Sequence, residues 1–457
     1  MVKKERVIKE NLTQGKVSRV LLHFAIPLLL ANVLQQFYQI IDSIIVGQYV
    51  GKEALAAVTA SYPLFYFLIS LVIGVGGGIS VLVANYYGGM QYKQVQRISS
   101  TYFIFLFAAG VIIALLGILF SDAIFRLIGT PEDVLPQAIT YFRIYIAGTI
   151  FYITFNGFIS ILRGAGDSVT PLYLMLVSVL LNLVLDLLFV AYLGYGVEGA
   201  AYSTLIAQAV ALFLSIIYLN RHHAILSFTR QTFCFDFSLF KQGIKLGVPS
   251  GIQQSSIALG MVALLSIVNS FGTDTLTAYG AVGRIESIIA QPMLTLGSAL
   301  ATFAGQNFGA QNQQRALKGL YLSLLWCLGI SVVVALLAFF FGKEAIMLFN
   351  NESSVVEIGY TYLLILFSFY LFNSAICVLN GFLRGVGDTF FPMLVSVVSL
   401  WLLRLPLAYF WSNLSGETGI WWSVVASWAI GLLVTVVYYY SGKWRKKKIE
   451  LICYSIE

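Results

Sequence analysis

Six ionisable side chains interrupt otherwise apolar stretches of this chain: Asp42, Asp186, Glu286, Arg143, Arg284 and Arg404. A charge in such a stretch is costly to bury, so each is a candidate for function. Asn32, Gln35, Gln39 and Asp42 follow one another at steps of three or four, which on a helix gives one polar face with Tyr38 beside it. Ser178, Asn182 and Asp186 step by four and form a second such stripe. Two carboxylates, the amide oxygen of Asn182 and the hydroxyl of Thr204 make an all-oxygen nest for Na⁺, or else a carboxyl pair that shares a proton. The alternative for Asp186 is plain hydrogen bonding to neighbouring helices. Glu286 either attracts a cationic ligand or pairs with a structural partner such as Arg143. Arg284, two residues from Glu286, points to a different helix face. Arg404 precedes Leu405-Pro406 and is expected to cap carbonyls freed at a proline kink.

The elements that hold these residues are membrane spans. Hydrophobic residues make up 59% of the chain and charged residues 10%, against about 25% charged in soluble proteins. Charge-poor runs mark twelve expected helices at 20–46, 55–80, 98–121, 137–162, 169–192, 199–219, 246–270, 276–302, 319–341, 358–382, 389–412 and 418–440, each near the 20 or so residues that cross a bilayer. With the amino terminus inside, 21 of the 27 Lys and Arg fall on the inner side and three (Lys52, Arg126, Lys343) on the outer. That asymmetry sets both termini in the cytoplasm of a plasma membrane and explains the net charge of +7 without nucleic acid. The first span reads as retained rather than as a cleaved signal. Cys234, Cys327, Cys377 and Cys453 show no paired spacing, so neither a disulfide framework nor a zinc site is indicated.

The chain repeats itself. Leu162-Arg163-Gly164-Ala165-Gly166-Asp167-Ser168, with Pro171, returns 221 residues later as Leu383-Arg384-Gly385-Val386-Gly387-Asp388-Thr389 with Pro392. Near that displacement Pro27 maps to Pro249 and Gly88 to Gly309. Two homologous halves of six spans each follow, related by an axis along the membrane normal. Residues 1–219 form the amino-terminal lobe, 220–245 a basic linker, 246–442 the carboxyl-terminal lobe and 443–457 a basic tail. Under the displacement Asp42 maps to about Ala263 or Leu264 and Asp186 to about Pro406 or Leu407, so the two acids have no counterpart in the second half.

Depth ties the acids together. At about 1.5 Å per residue, Asp42 lies about 33 Å along the first span, Asp186 about 27 Å along the fifth, and Thr204 about 8 Å along the inward-running sixth. All three reach the outer half of one lobe. No Gly-x-x-x-x-Gly-Lys-Ser/Thr, His-Glu-x-x-His or Gly-x-Ser-x-Gly is present, which argues against a nucleotide-driven motor and against a membrane enzyme. Gly74-Val75-Gly76-Gly77-Gly78 lies inside an apolar run and reads as a close-packing surface, not a phosphate loop.

Asp42 in Ile-Ile-Asp-Ser-Ile-Ile-Val-Gly, the two Leu-Arg-Gly-x-Gly-Asp turns, Asn182-x-x-x-Asp186, Gly199-Ala200-Ala201-x-x-Thr204 and Gly305-Gln306-Asn307-Phe308-Gly309-Ala310 together resemble the multidrug and toxic compound extrusion (MATE) family. The resemblance runs from Pro27 to the twelfth span. It implies an all-α integral membrane fold, a V-shaped pair of six-helix bundles. It further implies export of lipophilic, often cationic, drugs in exchange for Na⁺ or H⁺, and a cation site at Asp42, Asn182, Asp186 and Thr204. The branch typified by NorM also carries acids on the seventh and tenth spans. Here the seventh offers Gln253, Gln254, Ser255 and Ser256 and the tenth has none, so the chain looks closer to branches with one amino-lobe site. Gln35, Tyr38, Gln39, Gln253 and Glu286 are the expected substrate-cavity residues, and Arg163, Gly166, Asp167, Arg384, Gly387 and Asp388 the structural turns. The expected partners are a small-molecule substrate and lipid, with no nucleic acid, no obligate protein partner and no cofactor besides the coupling ion. A flippase for lipid-linked sugars or cell-wall precursors is the competing reading, kept open by Arg143, Arg284 and Arg404.

Overall fold

The computed structural model describes residues 11–50, 70, 72–127, 130, 132, 134–222 and 233–446. Most of the expected second span, and the side chain of Gln39, lie outside the described residues. What is described is helical, without a strand. The helices are α1 (Val17–Tyr49), α2 (Val72–Gly88), α3 (Tyr92–Leu127), α4 (Leu135–Gly164), α5 (Val169–Tyr192) and α6 (Gly196–His222). There follow α7 (Phe237–Asn269), α8 (Thr273–Gly309), α9 (Gln313–Met347), α10 (Ser353–Ser368 and Tyr370–Gly385), α11 (Phe390–Ser415) and α12 (Glu417–Ser441). Among the described residues ten helices are long and apolar enough to cross a membrane, and α10, bent by 48° at Phe369, makes eleven. Several outrun the apolar stretches that announce them. α3 has 36 residues against an expected 98–121, because polar turns at its ends continue the helix past the hydrocarbon.

Local chemistry explains the connections. In the repeated turns Gly166 and Gly387 take φ of 94° and 95°, a left-handed conformation that glycine adopts without strain. Asp167 N–H and Asp388 N–H donate back to Leu162 O and Leu383 O at 2.9 Å, closing each preceding helix. Asp167 Oδ1 then accepts from Val169 N and Thr170 N at 3.1 and 2.9 Å and opens α5; Asp388 Oδ1 accepts from Phe391 N at 3.3 Å and opens α11. The six motif residues thus form two helix-reversing turns, one in each half.

Pro27 and Pro249 sit inside α1 and α7 at matching places in the repeat. The chain forms two compact units, one built on Ile26–Gly251 and the other on Thr13–Ala25 together with the chain from Ile252. The first turns of α7 therefore pack in the first unit, against α2. A Cβ on Gly78 would stand 2.5 Å from Gly247 N, and one on Gly247 2.6 Å from Val75 Cα, so glycine permits the two backbones to approach. The glycine run that opens α2 is a helix-packing surface. In the second unit, α8 and α10 meet the same way at Gly297 and Gly381.

A candidate cation site in the amino-terminal half

Within the first unit, α1, α5 and α6 bring Asp42, Asn182, Asp186 and Thr204 together. Asn182, Asp186 and Thr204 are 2%, 1% and 4% exposed. With its amide turned to satisfy both ends, Asn182 Nδ2 donates to Asp186 Oδ2 at 2.8 Å, and its Oδ1 accepts from Thr204 N at 3.1 Å and Thr204 Oγ1 at 3.3 Å. Ser203 Oγ donates to Asp186 Oδ1. The Tyr38 and Thr204 hydroxyls meet at 3.2 Å. The Thr204 hydroxyl also reaches Ala200 O at 3.1 Å, and both oxygens of the Asp186 carboxylate accept, one from Ser203 and one from Asn182. Asp42 faces Asp186 within interaction range, and its Oδ1 is buried without a hydrogen-bond partner.

This arrangement has a chemical consequence. Two facing carboxylates in a water-poor setting repel unless a proton or a cation lies between them. Asp186 is already supplied with donors, so Asp42 Oδ1 is the atom with capacity left. Among the described residues no group of three or more His, Cys, Asp or Glu converges, and the donor set is two acids with neutral oxygens. It suits a monovalent ion or a proton better than a tightly held divalent metal.

Two contributors escaped the sequence reading. Ser203, wholly buried, stands one residue before Thr204; a 100° step still turns both hydroxyls toward the α5 stripe. Tyr141 on α4 is buried in one cluster with Ile45 and Val46 of α1 and Ala200 and Ala201 of α6, the segments that carry Asp42 and Thr204. A third feature is a π-helical stretch, Leu187–Tyr192, beginning directly after Asp186. Such turns add a residue per cycle and recur at functional sites. The corresponding span of the second half carries another, Val398–Arg404.

A cavity with roughly 500 Å³ of open space adjoins the nest. Its walls include Gln35, Tyr38, Tyr152, Phe155, Asn156, Met175 and Gln208, together with Asn182 and Thr204. Among the described residues that line it none is charged. Asn182 and Thr204 belong to both nest and cavity, so the two share a wall.

The MatE family profile matches the chain twice, over residues 27–188 and 249–410. The chain belongs to the MATE family. "Probable multidrug resistance protein YoeA" of Bacillus subtilis is 31% identical, with 97% of this chain and 98% of the relative covered. "Probable multidrug resistance protein YpnP" of the same organism is 32% identical, over 96% and 98%. A solved outward-facing multidrug resistance MATE transporter of the MOP superfamily superposes with a TM-score of 0.90 at 23% identity, over 98% of this chain and 99% of that one. The fold is thus the twelve-helix, two-lobed MATE architecture, and the family is one of multi-pass membrane transporters that handle small molecules.

The two family matches begin 222 residues apart, which carries Asp42 to Leu264, while the 221-residue step of the repeated turns carries Asp186 to Leu407. Both are apolar, Leu264 buried at 4% exposure and Leu407 half-buried. In the second unit Gln253 Nε2 donates to Ser396 Oγ at 2.6 Å. Glu286, half-buried, has Arg404 as the opposite charge in its surroundings. Arg404 differs from its expected role at the proline: its Nε donates to Ser427 Oγ at 2.9 Å and its guanidinium lies over Trp428 at 5.9 Å, both on α12. Arg143 Nε donates to Ser121 Oγ at 2.7 Å, and Arg284 lies over Phe349 at 6.0 Å.

Proposed function

We propose that this MATE protein is a secondary active antiporter that exports lipophilic, cationic drugs or metabolites in exchange for Na⁺ or H⁺ by alternating access across a plasma membrane, both termini being cytoplasmic. The observation that carries this reading is the unpartnered Asp42 Oδ1 opposite Asp186. It gives an ion or proton a place whose occupation changes the charge of the lobe. Occupation from outside neutralises the pair and biases the equilibrium between outward-facing and inward-facing states. The shared wall supplies the exchange. An ion that engages Asn182 and Thr204 alters the Tyr38–Thr204 contact on the cavity side, so ion and substrate compete for one set of groups. The relatives' descriptions as multidrug resistance proteins support export of drugs, and aromatic rings with amides suit a flat cationic guest.

A lipid-linked pyrophosphate calls for cationic side chains at the substrate. Among the described residues that line the cavity none is cationic, and the three intramembrane arginines are engaged with Ser121, Phe349, Ser427 and Trp428. No observation favours the flippase. The deciding assay is uptake of a fluorescent cationic dye into inside-out vesicles under imposed Na⁺ or H⁺ gradients. Uptake under one gradient, lost in Asp42→Asn at equal expression, is expected; full uptake in that variant would refute the coupling site.

A further inference from the structure

The end of the second unit where α8 stops, α9 starts and α12 finishes is built as a lipid-facing interface. On α9, Lys318, Tyr321 and Leu325 lie on one helical face and pass from cation to aromatic to aliphatic, all exposed, Tyr321 by 58% and Leu325 by 62%. α12 presents the same progression in reverse: Leu433, Val437 and Tyr440 are exposed by 63%, 61% and 79%, and Lys443 follows. Aliphatic, then tyrosine, then lysine is the order of acyl chain, interface and headgroup.

The chain does not simply run on into solvent. Gly442 turns it with φ of 69°, and Trp444, 1% exposed, folds back against Phe308 and Phe382 and stacks on Tyr439 at 5.7 Å. Its Nε1 donates to Tyr439 O at 2.9 Å. This anchor holds the segment with exposed Lys443, Arg445 and Lys446 against the Phe308 end of α8, and exposed Lys318 lies within the first two turns of α9, which follows that end. No acid occurs between Ala310 and Gly342 or between Thr418 and Lys448; Asp388 approaches α12, where its carboxylate accepts from the Tyr438 hydroxyl and from Phe391 N. Arg315, nearby in sequence, is committed elsewhere, to Gly15 O at 2.6 Å and Gln14 O at 2.7 Å.

We propose that this surface, cationic at its rim and aromatic below it, binds the phosphodiester headgroups of anionic phospholipids in the adjoining leaflet, with Trp444 as the anchor that presents the cations. The test is thermal unfolding of the purified full chain in neutral detergent, titrated separately with phosphatidylglycerol, phosphatidylcholine and inorganic phosphate. Phosphatidylglycerol is expected to raise the melting temperature and the other two to leave it unchanged. The Lys318→Gln/Lys443→Gln/Lys446→Gln variant should lose about a hundredfold in apparent phosphatidylglycerol affinity, taking about 1 kcal/mol per charge. Lys343→Gln, at the other end of α9, should bind like the wild type. The proposal falls if the triple variant responds normally, if phosphatidylcholine or phosphate reproduces the shift, or if Lys343→Gln loses it equally.

Discussion

A buried carboxylate is defined by what its oxygens accept. Asp186 receives Ser203 on one oxygen and Asn182 on the other, whereas Asp42 Oδ1 receives nothing. The two acids therefore divide the work: Asp186 is the fixed, satisfied member, and Asp42 holds the coordination capacity. Ser203 is the cheapest place to test this division. Ser203→Ala leaves a buried carboxylate oxygen without its donor, an imbalance worth about 1–3 kcal/mol. Gradient-driven dye uptake should fall about tenfold with the protein still in the membrane, and Ser203→Thr should restore most of it. Unchanged uptake in the alanine variant would mean that Asp186 does not depend on that hydrogen bond. The Asn182/Asp186 stripe could be read from sequence because steps of four survive folding. Ser203 and Tyr141 could not, because their roles depend on how α4 and α6 turn toward α5.

At the scale of elements, periodic features were legible and local departures from the regular α-helix were not. Charge-poor runs located the spans, and the Leu-Arg-Gly-x-Gly-Asp repeats located two reversals whose left-handed glycines and capping aspartates are built alike. Hidden from the sequence were the π-helical stretches after Asp186 and before Leu405, and the 48° bend at Phe369, which has no proline to signal it. The glycine run of α2 offers a test from two adjacent residues. A Cβ on Gly78 meets Gly247 N at 2.5 Å, whereas one on Gly77 meets nothing within 4 Å. Gly78→Ala must push α7 away and should cost about 1–3 kcal/mol, seen as a lower melting temperature. Gly77→Ala removes a flexible residue from an open helix face and should be neutral or stabilising by up to about 1 kcal/mol. Equal melting temperatures for the two variants would contradict the α2–α7 packing.

On the scale of the molecule, the halves share a fold but not their chemistry. The repeat that places Pro27 on Pro249 places Asp42 on Leu264, and the step of the Leu-Arg-Gly-x-Gly-Asp turns places Asp186 on Leu407, so apolar side chains stand in the second half where the first half holds its acids. The acid that the second half carries inside an apolar stretch, Glu286, instead has the opposite charge of Arg404 in its surroundings. Under the proposed antiport, ion coupling belongs to one lobe and the other follows it mechanically. Because Asp42 and Asp186 face one another they act as one unit, and effects of substituting them should not add. Asp42→Asn, Asp186→Asn and the double variant are expected to lose gradient-driven transport to the same floor, while Glu286→Gln leaves the ion dependence in place and changes only the apparent affinity for dye. Direct binding of the coupling ion to purified protein should follow a one-site isotherm that Asp42→Asn abolishes. A second site surviving in that variant would locate coupling in the carboxyl-terminal lobe as well, and the asymmetry between the halves would lose its mechanistic meaning.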